Sequence, residues 1–199
     1  ISMQKPIYII ILVVLLHLLS GFTKYKLPCE GRLISASLDS AMAQVGVAET
    51  KPNSSPRIDE YLHSVGLAPG APYCAAGQYW AFSVAAQALG IGAPPIARSG
   101  LANAIFADAS ARGVRTSPIP EVNDLVVWNK AGTPFGHIER IISTGKAGWV
   151  ETIAFNTEEN SSDAWPRQGV FIKRRNLLAR LGKLVLRGLI GFEPTECRP

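Results

Sequence analysis

Cysteine and histidine are scarce in this chain, with three of each in 199 residues. Cys29, Cys74 and Cys197 lie far apart, and no paired Cys/His spacing of a metal site occurs. That argues against zinc, and neither a metal nor a cofactor is expected. Charge is also thin: Asp, Glu, Lys and Arg make up 18 % of the residues, with a net charge of +5. No basic stripe with interleaved aromatics and no nucleic-acid motif is present. Nucleic acid is therefore the weakest of the anionic partners that a basic excess suits, behind a cell-wall polymer or a membrane surface. Long apolar runs are missing except for one at the N-terminus. The length suffices for one domain with its own core.

That run, Ile7 to Phe22, is almost wholly apolar, with Lys5 before it and Lys24 and Lys26 after it. As a helix it would span roughly 24 Å, just short of a ~30 Å hydrocarbon core. Residues 1–26 are expected to be a secretory signal peptide or a membrane anchor. Leu19-Ser20-Gly21 is only a partial cleavage match. The expected location is outside the cytoplasm: periplasmic, secreted or membrane-anchored and facing the wall. Residues 27–37 then form a linker, and 38–176 the main domain.

A helical period runs from Leu33 to Val47. Ser55 can cap a second helix over Pro56–Val65, with proline in its first turn. His63 belongs to that helix as a surface or packing residue. Pro69, Gly70 and Pro72 forbid a helix before Tyr73-Cys74-Ala75-Ala76, and Gly90, Gly92 and Pro94-Pro95 end the one that follows. A third, weaker helix runs from Ser99 or Gly100 to Ala111. From Asp124 the period becomes that of strands: Leu125–Trp128, Gly136–Ser143, Trp149–Asn156 and Gly169–Arg175. Helices followed by antiparallel strands indicate the α+β class.

Cys74 thus opens a helix, where unpaired N–H groups and the positive dipole end favour thiolate over thiol. Alone, such a cysteine is most often a small buried hydrophobe. His137 changes the weighing. It begins a strand after a glycine, and it shares a strand face with Glu139 and Ile141. Asn156 ends the neighbouring strand. A helix-start cysteine, a histidine on a facing sheet and an orienting amide form a thiol-hydrolase constellation. Cys74 would attack a carbonyl, His137 would shuttle the proton, and Asn156, with Glu151 in reserve, would fix the ring. The Cys74 N–H, with the Tyr73 side chain, would hold the oxyanion.

Four stretches, in order, resemble the CHAP family of cysteine, histidine-dependent amidohydrolases/peptidases. They are Val45–Glu49 with Pro52-Asn53, Tyr73–Ala76 with its aromatic helix, Asn123–Trp128 followed by Gly136-His137-Ile138, and Glu151–Thr157. The family often has Gly at the place of Asn123, and Ala154-Phe155-Asn156 stands where it ends a strand in Glu-Gly-Asn. The resemblance implies a papain-like fold, N-terminal helices on a small antiparallel sheet. It also implies hydrolysis of an amide bond in peptidoglycan, either N-acetylmuramoyl-L-alanine or a peptide cross-bridge. A catalytically silent wall-binding or membrane-attached scaffold on the same fold is the alternative, and a toxin-like effector suits the apolar N-terminus less well.

Cys29 and Cys197 flank the domain and could pair in an exported chain. Residues 177–199 read as an amphipathic helix and tail. Leu177, Leu178, Leu181, Leu184, Val185 and Leu189 lie on one side, with Arg180, Lys183 and Arg187 opposite.

Overall fold

A computed structural model describes residues 22–161 and 167–195. Four helices pack on a seven-stranded sheet: β1 (Thr23–Glu30), α1 (Gly31–Met42), α2 (Pro56–Ser64), α3 (Cys74–Leu89), α4 (Ala102–Arg112), β2 (Val114–Thr116), β3 (Leu125–Asn129), β4 (Gly136–Thr144), β5 (Trp149–Glu158), β6 (Gln168–Asn176) and β7 (Val185–Thr195). The strand order is β2-β1-β7-β3-β4-β5-β6. All neighbours are antiparallel except β1 and β7, which run parallel. The sheet is therefore mixed, larger than the small antiparallel sheet expected.

Helix limits follow local chemistry. The Ser55 side chain accepts a hydrogen bond from the Ile58 N–H, and proline occupies the first turn of α2. α3 ends at Gly90, whose φ of 69° is the left-handed conformation that glycine adopts at low cost. α3 has no polar face over most of its length, because α1 and α2 cover one side and β4 and β5 the other. In β3, Leu125 and Val127 face the helices, while Val126 and Trp128 enter a second cluster that contains no helical residue. Asn123 precedes that strand at φ 78°. Asparagine tolerates that conformation, and its Oδ1 accepts from the Arg140 guanidinium.

Three sequence expectations are corrected. Residues 23–26, expected in the signal or anchor, and 27–30, expected as linker, form β1, with Leu27 fully buried and Lys24 1 % exposed. The Lys24 ammonium lies 2.7 Å from both Glu121 and Asp124, so a lysine read as a flank of the apolar run is instead a buried ion-pair partner. Residues 31–37 belong to α1. The C-terminal amphipathic helix is absent: residues 177–184 form turns, and 185–195 form a strand between β1 and β3. A run whose Gly188–Phe192 segment is wholly buried has no polar side to give a period, so strand and helix look alike in it. Its glycines decide. A Cβ on Gly188 would lie 2.2 Å from the Thr23 carbonyl oxygen, and one on Gly191 would lie 2.6 Å from Lys24 Cε. The folded unit thus extends beyond 38–176 in both directions.

Residues 1–21 lie outside the described residues, so most of the expected signal or anchor does as well. Among the described residues no helix is long and apolar enough to cross a membrane. Cys29 is buried in β1, and the expected partner Cys197 lies outside the described residues. His63 is exposed on α2, as expected.

The helix–sheet contact is closest at Gly77. A Cβ there would sit 2.1 Å from Phe155 Cδ1, and the Phe155 ring is fully buried edge-on against Tyr61, 5.2 Å between centroids. In an exposed helix Gly→Ala gains up to about 1 kcal/mol. Here overpacking outweighs that gain, so Gly77→Ala is expected to lose about 1–3 kcal/mol. Urea unfolding measures it, and a stabilised variant would contradict the packing.

Candidate functional site

The start of α3 meets the start of β4. Cys74 is the first residue of α3 and 5 % exposed, and its Sγ lies 4.0 Å from the Gly136 carbonyl oxygen. A Cβ on Gly136 would lie 2.4 Å from the Trp128 carbonyl oxygen, so glycine there lets β4 close against β3. His137 follows, its ring 6.2 Å from that of Trp128. Cys74 therefore lies beside the backbone that leads into His137. His137 Nε2 lies 2.9 Å from Glu139 Oε1, which leaves Nδ1 as the nitrogen for the thiol.

Glu139 is the residue that sequence reasoning passed over as a partner for the histidine. It is fully buried. Arg175 grips both its oxygens, with Nε at 3.0 Å from each and Nη2 at 2.6 Å from Oε1, and Thr152 Oγ1 donates to Oε2 at 2.6 Å. The signal was present, because strand alternation puts residues 137 and 139 on one face. Arg175 reaches that carboxylate from β6, two strands away, which the sequence does not show.

Burial works against charge on His137, but hydrogen bonds and attraction from Cys74 and Glu139 outweigh it and raise its pKa to about 10. Burial alone would raise Glu139, but His137 and Arg175 overcome it and hold the carboxyl at about 2. Cys74 and Glu139 thus favour the charged form of the imidazole, and Glu139 fixes the ring through Nε2.

The other expected site residues have different work. Asn156 sits at φ 57°. Its Oδ1 accepts from the Tyr73 N–H at 3.3 Å, and its Nδ2 donates to Asn53 Oδ1 at 2.9 Å. Asn156 lines a cleft with His137, but its hydrogen bonds go to the segment before Cys74 rather than to the imidazole. The Tyr73 side chain is fully buried, and its hydroxyl donates to Glu49 Oε1 at 3.2 Å, so it does not face an oxyanion. Burial, then Glu49, pushes that phenol well above its ordinary range. Glu49 Oε2 in turn accepts from the Asn53 N–H at 2.7 Å. The reserve residue, Glu151, is exposed and accepts from Ser143 Oγ at 2.9 Å. Glu49, Asn53, Tyr73 and Asn156 therefore form one polar brace that seats the start of α3. The first-turn N–H of Cys74 is the oxyanion donor that the geometry offers.

Among the described residues no group of three or more His, Cys, Asp or Glu side chains converges to hold a metal ion. Compared with protein-family models, curated proteins and solved structures, the chain finds no match in any of the three.

The His137–Glu139 pair makes stability depend on pH in two windows. The raised histidine contributes fully below its ordinary 6.5 and loses that contribution as pH rises toward about 10. The lowered glutamate contributes above its ordinary 4.5 and loses that contribution as pH falls toward about 2. Glu139→Gln is expected to flatten both slopes, to cost about 3 kcal/mol at pH 7, and to move the His137 ring titration downward. Urea unfolding across pH and ring-proton NMR read these effects. An unchanged His137 titration would remove Glu139 from the assignment.

Proposed function

We propose that this chain is a cysteine amidohydrolase/peptidase of peptidoglycan on a papain-like, CHAP-type fold, exported to act on the cell wall. The observation that carries the chemistry is a cysteine at the head of α3, 4.0 Å from the Gly136 carbonyl oxygen, next to a histidine hydrogen-bonded to the buried Glu139. The wall substrate rests on the four-stretch resemblance and on the basic excess. The papain-like reading is supported by a cysteine at a helix N-terminus against an antiparallel run of strands, the second of which carries the histidine.

His137 takes the Cys74 thiol proton, which leaves sulfur free to attack a carbonyl carbon. The Sγ–C bond forms, and the carbonyl oxygen takes the negative charge beside the Cys74 N–H and the positive end of α3. The amide C–N bond then breaks as His137 gives its proton to the departing nitrogen. Water attacks the thioester as His137 accepts its proton, the C–Sγ bond breaks with its electron pair returning to sulfur, and the carboxylic acid leaves. Glu139 does not transfer a proton in this scheme. It holds the ring and stabilises its charge, and Arg175 and Thr152 keep Glu139 ionised.

The test is digestion of purified peptidoglycan by the parent, Cys74→Ala and His137→Ala, with released fragments identified by mass spectrometry. The expected result is fragments from the parent that define one amide bond, with release from either variant reduced by at least about a hundredfold. No fragments from a folded parent across several wall types would favour the silent scaffold. Equal release from all three would reject the constellation.

A further inference from the structure

A pocket of about 230 Å³ opens beside the cluster that contains no helical residue, and Trp128 and Leu181 belong to both. Trp149, Arg174, Arg175, Asn176 and Arg180 complete most of its wall, and among the described residues no carboxylate lines it. Trp128 is 1 % exposed, and its Nε1 has no hydrogen-bond partner among the described residues. A buried indole N–H ordinarily finds an acceptor, so this wall holds a donor left unanswered. The charge around it is equally one-sided. Arg175 commits Nε and Nη2 to Glu139, which leaves its Nη1 outside that pair. The Arg174 guanidinium lies over the Trp149 ring, 4.5 Å from its centroid. Arg180 is exposed, and among the described residues neither it nor Arg174 has a carboxylate partner.

The turn that carries Arg180 is held in place. Asn176 Oδ1 accepts from the Leu178 N–H at 2.9 Å, Leu177 is buried in the same cluster as Trp128, and Leu181 and Leu184 exchange backbone hydrogen bonds at 3.1 and 2.9 Å. Water would satisfy the indole but not the charge. A carboxylate or a phosphate satisfies both, because one oxygen can accept from the neutral N–H while another takes charge-assisted bonds from a guanidinium. We propose that this pocket is a binding site for a carboxylate or phosphate group, held by the Trp128 indole N–H and the Arg174 and Arg180 guanidiniums. The pocket shares Arg175 and Leu181 with the cleft that contains His137, and the Trp128 and His137 rings are 6.2 Å apart. A ligand anchored here therefore extends along that cleft toward the imidazole. The site stands without the thiol reading; joined to it, it gives the substrate an acidic group on the His137 side of the amide.

Binding is read on the full chain by proton–nitrogen correlation NMR of the tryptophan indoles, with Trp128→Phe identifying the Trp128 signal. Sodium phosphate and sodium acetate are titrated separately at constant ionic strength, with chloride as the balancing salt. The Trp128 indole resonance is expected to move downfield and to saturate with at least one of the two. Which of them saturates it identifies the group as phosphate, carboxylate or either. Arg180→Gln, at an exposed position, is expected to weaken Kd about tenfold through loss of a charge-assisted bond. Trp128→Phe, followed on the Trp149 indole, is expected to weaken it about threefold. No saturable movement with either anion beyond that seen with chloride would overturn the site. Saturation with Kd unchanged in both variants would mean an adventitious ion only, and would overturn the assignment to this pocket. No readout involves turnover, so failure here leaves the Cys74–His137 reading standing, and failure of peptidoglycan digestion leaves the anion site standing.

Discussion

A carboxylate with no access to water constrains much of this molecule. Glu139 is fully buried, and an isolated charge in that position would be intolerable. It is compensated by two groups from other strands, Arg175 on β6 and Thr152 on β5, and by His137 on its own strand. Those partners exist only when β4, β5 and β6 pair in the observed register, so the ion cluster and the sheet order depend on each other. Such clusters contribute little net stability but penalise every arrangement that breaks them. The same cluster orients the imidazole, so the part of the structure least tolerant of error is also the part that fixes the candidate chemistry.

Placing the thiol is a separate problem, and a second polar group solves it. α3 has no side-chain cap, and its N-terminal residue must arrive beside β4 without one. Asn156, in a left-handed conformation that costs free energy in any residue but glycine, takes the Tyr73 N–H, while Asn53 and Glu49 complete the brace. Further along, Gly77 allows the helix to descend onto Phe155. Polar restraint at the helix end and apolar contact one turn later together set the position of the sulfur. The left-handed turn at Asn156 thus serves to place the start of α3, a role distinct from holding the His137 ring.

The surfaces beside Cys74 and beside His137 differ because they are built from different layers. The apolar side is the junction of α2, α4 and the loop before β4, where helices leave leucine and phenylalanine side chains uncovered. The polar side is the open face of β5 and β6 next to the ion cluster, where Lys173 and Arg175 already line the surface.

Much of this was legible in the chain alone, for local reasons. Proline and glycine punctuation bounded α3 at Cys74 and Gly90, Ser55 marked the start of α2, and period-two alternation located β3 to β6. The alternation that put His137 and Glu139 on one face also held the clue to their pairing, though without depth it could not rank Glu139 above Asn156. Tertiary structure alone decided the rest. β1 and β7 are strands because they pair with each other across more than 150 residues of chain and β7 also pairs with β3, and β7, wholly buried over Gly188–Phe192, carries no amphipathic period to announce it. Arg175 finds Glu139, and Asn156 finds Tyr73, through strand register and helix docking. Those contacts are long-range, and spacing along a chain encodes local geometry only.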